Sequence, residues 1–149
     1  MTAAITLASP DHQQVVLGLM LRCHEERGIA MDDAAREKAL APLLDESPLG
    51  AVWLIGPIRA PLGYVVVTFG WSVADGGMIG WIEDVFVRQS VRRRGIGTEV
   101  LHAVSKSLSQ AGIQRLRAAV PSDESPAARL CHRIGLRDGQ TVHVMSDTA

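Results

Sequence analysis

Cysteine is scarce in this chain: Cys23 and Cys131 are the only two among 149 residues. That excludes a disulfide framework and a cysteine-rich zinc module, and it agrees with a reducing, cytoplasmic setting. An excess of either charge is lacking as well. The 15 basic and 16 acidic residues leave a formal net charge of −1, so no global field attracts nucleic acid or an anionic membrane, and any anion site has to be local. Long apolar runs are missing: none approaches the roughly 20 residues that span a bilayer, and MTAAITLASPDHQQ at the start has no basic segment followed by an apolar one. A soluble protein with no membrane partner is expected. There is no internal repeat, low-complexity tract or long Pro/Gly linker, so residues 1–149 are read as one domain with its own core.

What is present begins with Ile5 to Ala8, an apolar run too brief to assign by pattern, followed by Ser9-Pro10-Asp11, a helix entry with a hydroxyl and an early proline. Val15, Val16, Leu19, Met20 and Cys23 recur at helical spacing up to Gly28. Asp32 or Asp33 caps a second helix with a stripe of Ala39, Leu40, Leu43 and Leu44, kinked or shortened by Pro42. The pattern then changes. AVWLI from Ala51 and LGYVVVTFGW from Leu62 are β-branched and aromatic, separated by the turn-like GPIRAP, and read as antiparallel strands. After a turn at Ala74 to Gly77, MIGWIEDVFV is a third strand, apolar except for the adjacent carboxylates Glu83 and Asp84. Val100, Leu101, Val104, Leu108 and Ala111 trace a helix that stops at Gly112. A short strand over Leu116 to Val120, a helix started by Ser122 or Ser125 with Pro126 and running through Ile134, and a last strand over Val142 to Met145 complete the order β-α-α-β-β-β-α-β-α-β. The expected fold class is α/β (α+β), a mixed sheet with helices on both faces.

The informative stretch is VFVRQSVRRRGIGTEVL, where a strand runs into a basic, glycine-bearing turn and directly into a long amphipathic helix. The first N–H groups of a helix have no partner inside it. Glycines at 95 and 97 let those groups close around a phosphate, and Arg92, Arg93 and Arg94 add charge. A solvated basic loop would look similar, and that reading suits at least one of the three arginines. Two familiar phosphate loops do not fit. GxxxxGK[ST] is absent, and GxGxxG fails because Gly97 is followed by Thr98-Glu99-Val100.

Arg92-Arg93-Arg94-Gly95-Ile96-Gly97 resembles the [RQ]xxGx[GA] signature of the GCN5-related N-acetyltransferases. The similarity runs from about Met78 to Leu136, with IEDVFV like the family's cofactor-facing strand and SPAARLCHRIGL like its later helix. The local style of WIEDVFV is similar to the spermidine/spermine and diamine acetyltransferase branch. What the resemblance implies is a splayed sheet holding acetyl-CoA as cosubstrate. Its pantetheine arm would lie on the backbone of Val85, Phe86 and Val87 and its pyrophosphate on the turn from Arg92 or Arg93 through Ile96 and Gly97 to Thr98, with Glu124 to Ala127 lining it from the other side. A homodimer is implied only at family level. Trp53, Trp71 and Trp81 lie on or beside predicted strands, where core burial is the commoner fate but one exposed ring would favour self-association.

A primary amine is largely protonated near neutral pH and needs a base, or a water chain to one, before it attacks a thioester. Adjacent strand residues point to opposite faces, so Glu83 and Asp84 share a pocket only across a bulge, which the family commonly has here. Glu83 matches the family's carboxylate and is the expected base. Asp84 suits a structural hydrogen bond or salt bridge better. Backbone N–H groups near Val85 would stabilise the oxyanion. At the proton donor the chain departs from the family, with Cys131 where tyrosine is usual. A thiol, with a pKa of about 8.5 against roughly 10, is able to protonate the departing thiolate, but it is equally a small buried hydrophobe. Glu124 stands in place of a common asparagine and Leu136 in place of the usual phenylalanine.

No metal is expected, because Cys23-His24 and Cys131-His132 are adjacent pairs that a helix points apart, and His102 reads as a surface residue. The acceptor is a small-molecule or protein amine. Glu25, Glu26, Asp32 and Asp33 would suit a cationic, polyamine-like substrate, yet such carboxylates also serve as caps and solvated surface, so aminoglycosides, amino acids and protein amines stay open. Two other classes compete. One is a non-catalytic acyl-CoA sensor, favoured by the missing tyrosine. The other is a nucleic-acid-binding domain using Arg88 and Arg92 to Arg94, disfavoured by the net charge.

Overall fold

The computed structural model describes residues 4–147. Strand β1 (Ile5–Leu7) leads through a single 3-10 turn at Pro10–His12 into helix α1 (Gln13–Arg27). The Ser9 N–H donates to His12 Nδ1 at 3.0 Å and fixes that entry. Val16, Leu19, Met20 and Cys23 form the buried stripe of α1, and Gly28 ends it in the left-handed conformation, φ 68°. Asp32 is the residue that caps α2 (Asp33–Leu40), its carboxylate accepting the Ala35 N–H at 2.7 Å. Pro42 shortens the helix as expected, turning Ala41–Leu44 into 3-10 geometry.

Strands β2 (Gly50–Ile55), β3 (Gly63–Ser72) and β4 (Gly77–Val87) form an antiparallel meander, with β1 antiparallel to β2. Helix α3 (Ile96–Gln110) then crosses over to β5 (Arg115–Ala118), which lies parallel to β4, and gives the sheet order β1-β2-β3-β4-β5. This is the crossover that a parallel pair requires. Helix α4 (Pro126–Arg133) follows, capped by Ser125, whose hydroxyl accepts the Ala128 N–H at 3.1 Å.

Because side chains alternate across the sheet, each face buries its own cluster. Val52, Leu54, Tyr64, Val66 and Phe86 pack against α1 and α2. Trp53, Ile55, Val65 and Val67 pack against Val100, Leu101, Val104 and Leu108 of α3, with Leu130 and Ile134 of α4 at the margin. The meander is tight where the site begins. A Cβ on Gly63 would lie 1.9 Å from the Phe86 carbonyl oxygen, so only glycine lets β3 approach the end of β4 there.

Two expectations are corrected. The strand expected at Leu116 to Val120 starts and ends earlier, at Arg115–Ala118, because its register on β4 stops at the Ile82↔Ala118 pair. The strand expected at Val142 to Met145 does not form: residues 136–147 carry no strand, and Val142, Val144 and Met145 are exposed. Alternating apolar residues make a strand only where a ladder and a face to bury are both available. The mixed sheet therefore has five strands, with helices on both faces as expected.

A small charged knot ties β5 to the hairpin. Asp75 accepts from Ser72 Oγ (2.8 Å), Arg115 Nε (3.0 Å) and Arg117 Nη2 (2.6 Å), and these donors depress its carboxyl to about 2. A depressed carboxylate contributes stability above its unfolded pKa of about 4 and loses it as pH falls through the folded value. Asp75→Asn is therefore expected to lower the unfolding temperature at pH 7, with the gap to wild type closing as pH falls from about 4 towards about 2.

Candidate active site

The two strand carboxylates are brought together by a bulge. On β3, Val66 pairs with Asp84 and Val67 with Ile82, leaving Glu83 as the extra residue of β4. Thr68 shares a sheet face with Val66, and its Oγ1 donates to Glu83 Oε1 at 2.9 Å. Asp84 receives Tyr64 Oη at 2.9 Å from the same face. Glu83 and Asp84 thus both address the α1 side of the sheet, which an unbroken strand does not permit. Their circumstances differ. Glu83 is exposed, with Thr68 as its hydrogen-bond donor. Asp84 has one oxygen on Arg27 Nη1 (2.9 Å) and the other on Tyr64, and its side chain is only 13% exposed. This is the structural role its sequence context suggested.

The bulge also splits the sheet. β5 pairs with β4 only over Ile79 to Ile82, while β3 follows β4 on to Val87. Among the described residues no strand lies beside the other edge of β4 from residue 83 onward. Val85 and Val87 turn their side chains to the α3 core and Phe86 to the α1 core, so backbone is what this edge presents.

At the end of that edge lies the basic turn. Arg93 and Gly95 both adopt left-handed conformations, φ 63° and 77°. Gly95 is the N-cap of α3 and contributes no side-chain cap; the first helical bond is Glu99 N–H to the Gly95 carbonyl, 3.1 Å. The N–H groups of Ile96, Gly97 and Thr98 consequently have no helical acceptor and carry the positive end of the helix dipole. Ile96 is buried as a core residue, so its side chain anchors the turn from below. Arg93, Gly95, Thr98 and Glu99 line an open cleft of about 640 Å³, completed by Arg133 of α4, whose Nε donates to Thr98 Oγ1 at 3.1 Å. A diphosphate fits such a set of backbone donors and guanidinium groups.

The other site residues fall in different places. Arg92 faces away from the cleft: Nε donates to the Val87 carbonyl (2.6 Å), Nη2 reaches both oxygens of Glu26 (2.9 and 2.7 Å), and the guanidinium lies 5.5 Å from the Phe86 ring centre. Arg94 is exposed on the turn. Glu124 and Ala127 are exposed at the entrance of α4, where the Glu124 carbonyl accepts from Arg129. Cys131 is buried on α4, and burial pushes its thiol up. A thiol held above its ordinary range is a poorer acid, so Cys131→Ala is expected to keep turnover within about threefold while costing about 1 kcal/mol of packing. A measured loss of nearly all turnover with normal cofactor binding would instead make it the proton donor.

Three of the four acidic residues near the early helices already have partners. Glu26 pairs with Arg92, Asp32 caps α2, and Asp33 receives Arg36 Nη1 at 2.9 Å. Arg36 itself is buried at 3% exposure and also donates to His24 Nδ1 (3.1 Å) and the Met31 carbonyl (2.7 Å), which locks the α1–α2 connection. Sequence reading missed Arg27, Arg36, Tyr64, Thr68 and Arg133. Among the described residues no cluster of His, Cys, Asp or Glu has the makings of a metal site, and no helix is long and apolar enough to cross a membrane.

The chain belongs to the acetyltransferase (GNAT) family, whose family model matches residues 16–136. Among solved structures it is similar to an integron cassette protein, HFX_CASS3, from the mobile metagenome of Cole Harbour Salt Marsh, at 27% identity and TM-score 0.85, covering 97% of this chain and 90% of that one. A possible acetyltransferase from Clostridium difficile 630 matches at 17% identity and TM-score 0.86, covering 100% and 99% of the two chains. Aminoglycoside N-acetyltransferase AAC(6')-Iy in complex with CoA matches at 15% identity and TM-score 0.82, covering 99% and 95%. At those lower identities the likeness is one of fold. No curated protein sequence matches.

Proposed function

We propose that this protein is an acyl-CoA-dependent N-acyltransferase that moves the acetyl group of acetyl-CoA to a primary amine by direct attack on the thioester. The observation that carries the reading is the continuity of three features along β4: the exposed Glu83 at the bulge, the backbone edge at Val85 to Val87 that no strand covers, and the α3 start with Arg93, Gly95, Gly97 and Thr98. Acetyl-CoA supplies the activated acyl group. Arg93, Arg133 and the first N–H groups of α3 hold its diphosphate, and the β4 edge orients the arm that reaches back to the bulge. Glu83, oriented by Thr68, takes the proton from the acceptor ammonium, directly or through water. The freed N–H groups near Val85 face the oxygen on which negative charge develops; the adduct then collapses with cleavage of the C–S bond, and CoA leaves as a thiolate that takes up the second proton of the attacking nitrogen through solvent.

Two structural neighbours similar in fold are an aminoglycoside N-acetyltransferase and a ribosomal-protein-alanine N-acetyltransferase. The acceptor of this chain is proposed only as a primary amine. The commitment of Glu26, Asp32 and Asp33 to internal partners disfavours a polyamine relative to the sequence reading. The reading includes a reducing, cytoplasmic location and a homodimer, favoured by Trp71, 71% exposed beside the exposed Val73 at the end of the β3–β4 hairpin; sedimentation reads the dimer out.

The test is release of CoA thiol, followed colorimetrically, with acetyl-CoA and a panel of polyamines, aminoglycosides, amino acids and amino-terminal peptides. Turnover with any amine supports the reading and sorts the acceptor class. Tight acetyl-CoA binding with no turnover on any amine would replace it by the sensor reading, which the absence of tyrosine at position 131 favours.

A further inference from the structure

The bulge that exposes Glu83 is an excess of one residue, and nothing in the sequence of β4 itself fixes where that excess sits. Losing it would exchange the faces of Val85 and Phe86, which now pack in different cores, and moving it by one position towards Val85 would make Asp84 the extra residue and set Glu83 opposite Val66. The element that holds its place is Asp84. Its carboxylate is mostly buried, and a buried carboxylate needs a donor for each oxygen. The two donors come from separate elements: Arg27 Nη1 from the last residue of α1 and Tyr64 Oη from β3, each at 2.9 Å. Tyr64 is fully buried, and burial together with the Asp84 charge raises its phenol, so it remains a donor throughout the working range. Arg27 sits where the negative end of the α1 dipole favours a cation, immediately before the Gly28 cap. Neither side chain reaches the cofactor cleft, whose lining comes from the α3 turn and α4.

We propose that Arg27 and Tyr64 are positioning residues: by gripping both oxygens of Asp84 they hold the β4 bulge in place and thereby aim Glu83 at the split in the sheet. This rests on the reading of Glu83 as the base, and it adds a role for α1 in setting the chemistry as well as covering the sheet. A displacement of a proton acceptor by about 1 Å costs on the order of a hundredfold in rate. Loosening the clamp therefore lowers kcat and leaves cofactor affinity alone.

The experiment uses the full chain with Arg27→Met, Arg27→Lys and Tyr64→Phe. Arg27 is half exposed, so its replacement leaves the cores intact. Three readouts are taken: the Kd for acetyl-CoA, kcat and KM for the best amine, and amide hydrogen exchange at Glu83, Asp84 and Val85. Arg27→Met is expected to lower kcat about 10- to 100-fold, to leave the Kd for acetyl-CoA within about twofold, and to speed exchange at those three amides at least about tenfold, while Val100 and Val104 keep wild-type protection. Arg27→Lys restores most of kcat, which a purely structural loss would not do. Unchanged exchange and unchanged kcat in Arg27→Met would overturn the proposal, as would a loss that follows acetyl-CoA affinity. If the wild type binds no acetyl-CoA, the functional reading fails on that result, while amide exchange still decides whether Arg27 and Tyr64 hold the bulge.

Discussion

Replacing Glu83 by glutamine is expected to lower kcat by about 10²- to 10⁴-fold near neutral pH with little change in the affinity for acetyl-CoA. The argument is chemical. The acceptor arrives mainly as an ammonium ion, and a carboxamide cannot take its proton. The geometry should survive, because glutamine retains an oxygen at the position to which Thr68 Oγ1 donates at 2.9 Å, and residue 83 has no β3 partner to disturb. The loss should shrink as pH rises towards the acceptor's own pKa, where free amine is supplied by solvent. Glu83 is exposed, so the same substitution should hardly move the unfolding temperature, which separates chemistry from folding. A steady-state pH profile of wild type and Glu83→Gln is the measurement. Equal kcat in both would move the proton to a water chain ending elsewhere and leave Glu83 a surface residue.

Most of this fold was legible because its signals are local. The meander announces itself in β-branched and aromatic runs over β2 to β4, α3 in its 3.6-residue stripe, and the turn before it in two glycines between a strand and a helix with no capping side chain. Ser122 and Ser125 are equally good caps by residue type, and the fold uses Ser125, whose hydroxyl accepts the Ala128 N–H. The final strand failed for a related reason. Val142, Val144 and Met145 have the right alternation, but alternation describes a face, and these side chains remain exposed. What pattern reading could not supply was long-range pairing. Arg27 meets Asp84 across 57 positions, and Arg92 meets Glu26 across 66. The second of these altered the site: an arginine read as a phosphate ligand is used to fasten the turn to α1, while Arg133, which no motif singled out, lines the cleft instead.

The basic turn carries the other large expected effect. Acetyl-CoA at 100 times its Kd should stabilise the protein by about 2.7 kcal/mol, which for a chain of this size is roughly 5 to 10 °C in unfolding temperature. Arg93 offers an unusually clean way to test where that shift arises, because it holds a left-handed φ of 63° without being glycine. Arg93→Gly removes the guanidinium from the cleft and relieves backbone strain at once. Relief of an αL residue and the added freedom of the unfolded chain are each about 1 kcal/mol and opposite in sign, so the free protein should unfold within about 2 °C of wild type. Its Kd for acetyl-CoA should nevertheless weaken about tenfold or more through loss of a charge-assisted contact, and at the same ligand concentration the thermal shift should fall to about half or less. Gly95→Val acts by the other route. A Cβ there meets no atom within 4 Å, so the penalty comes from forcing a β-branched residue to φ 77°, which distorts the α3 N-terminus and its donors. Differential scanning with and without acetyl-CoA reads all three proteins. A full wild-type shift retained in Arg93→Gly and in folded Gly95→Val would place the diphosphate elsewhere and remove the ground for routing the cofactor along β4.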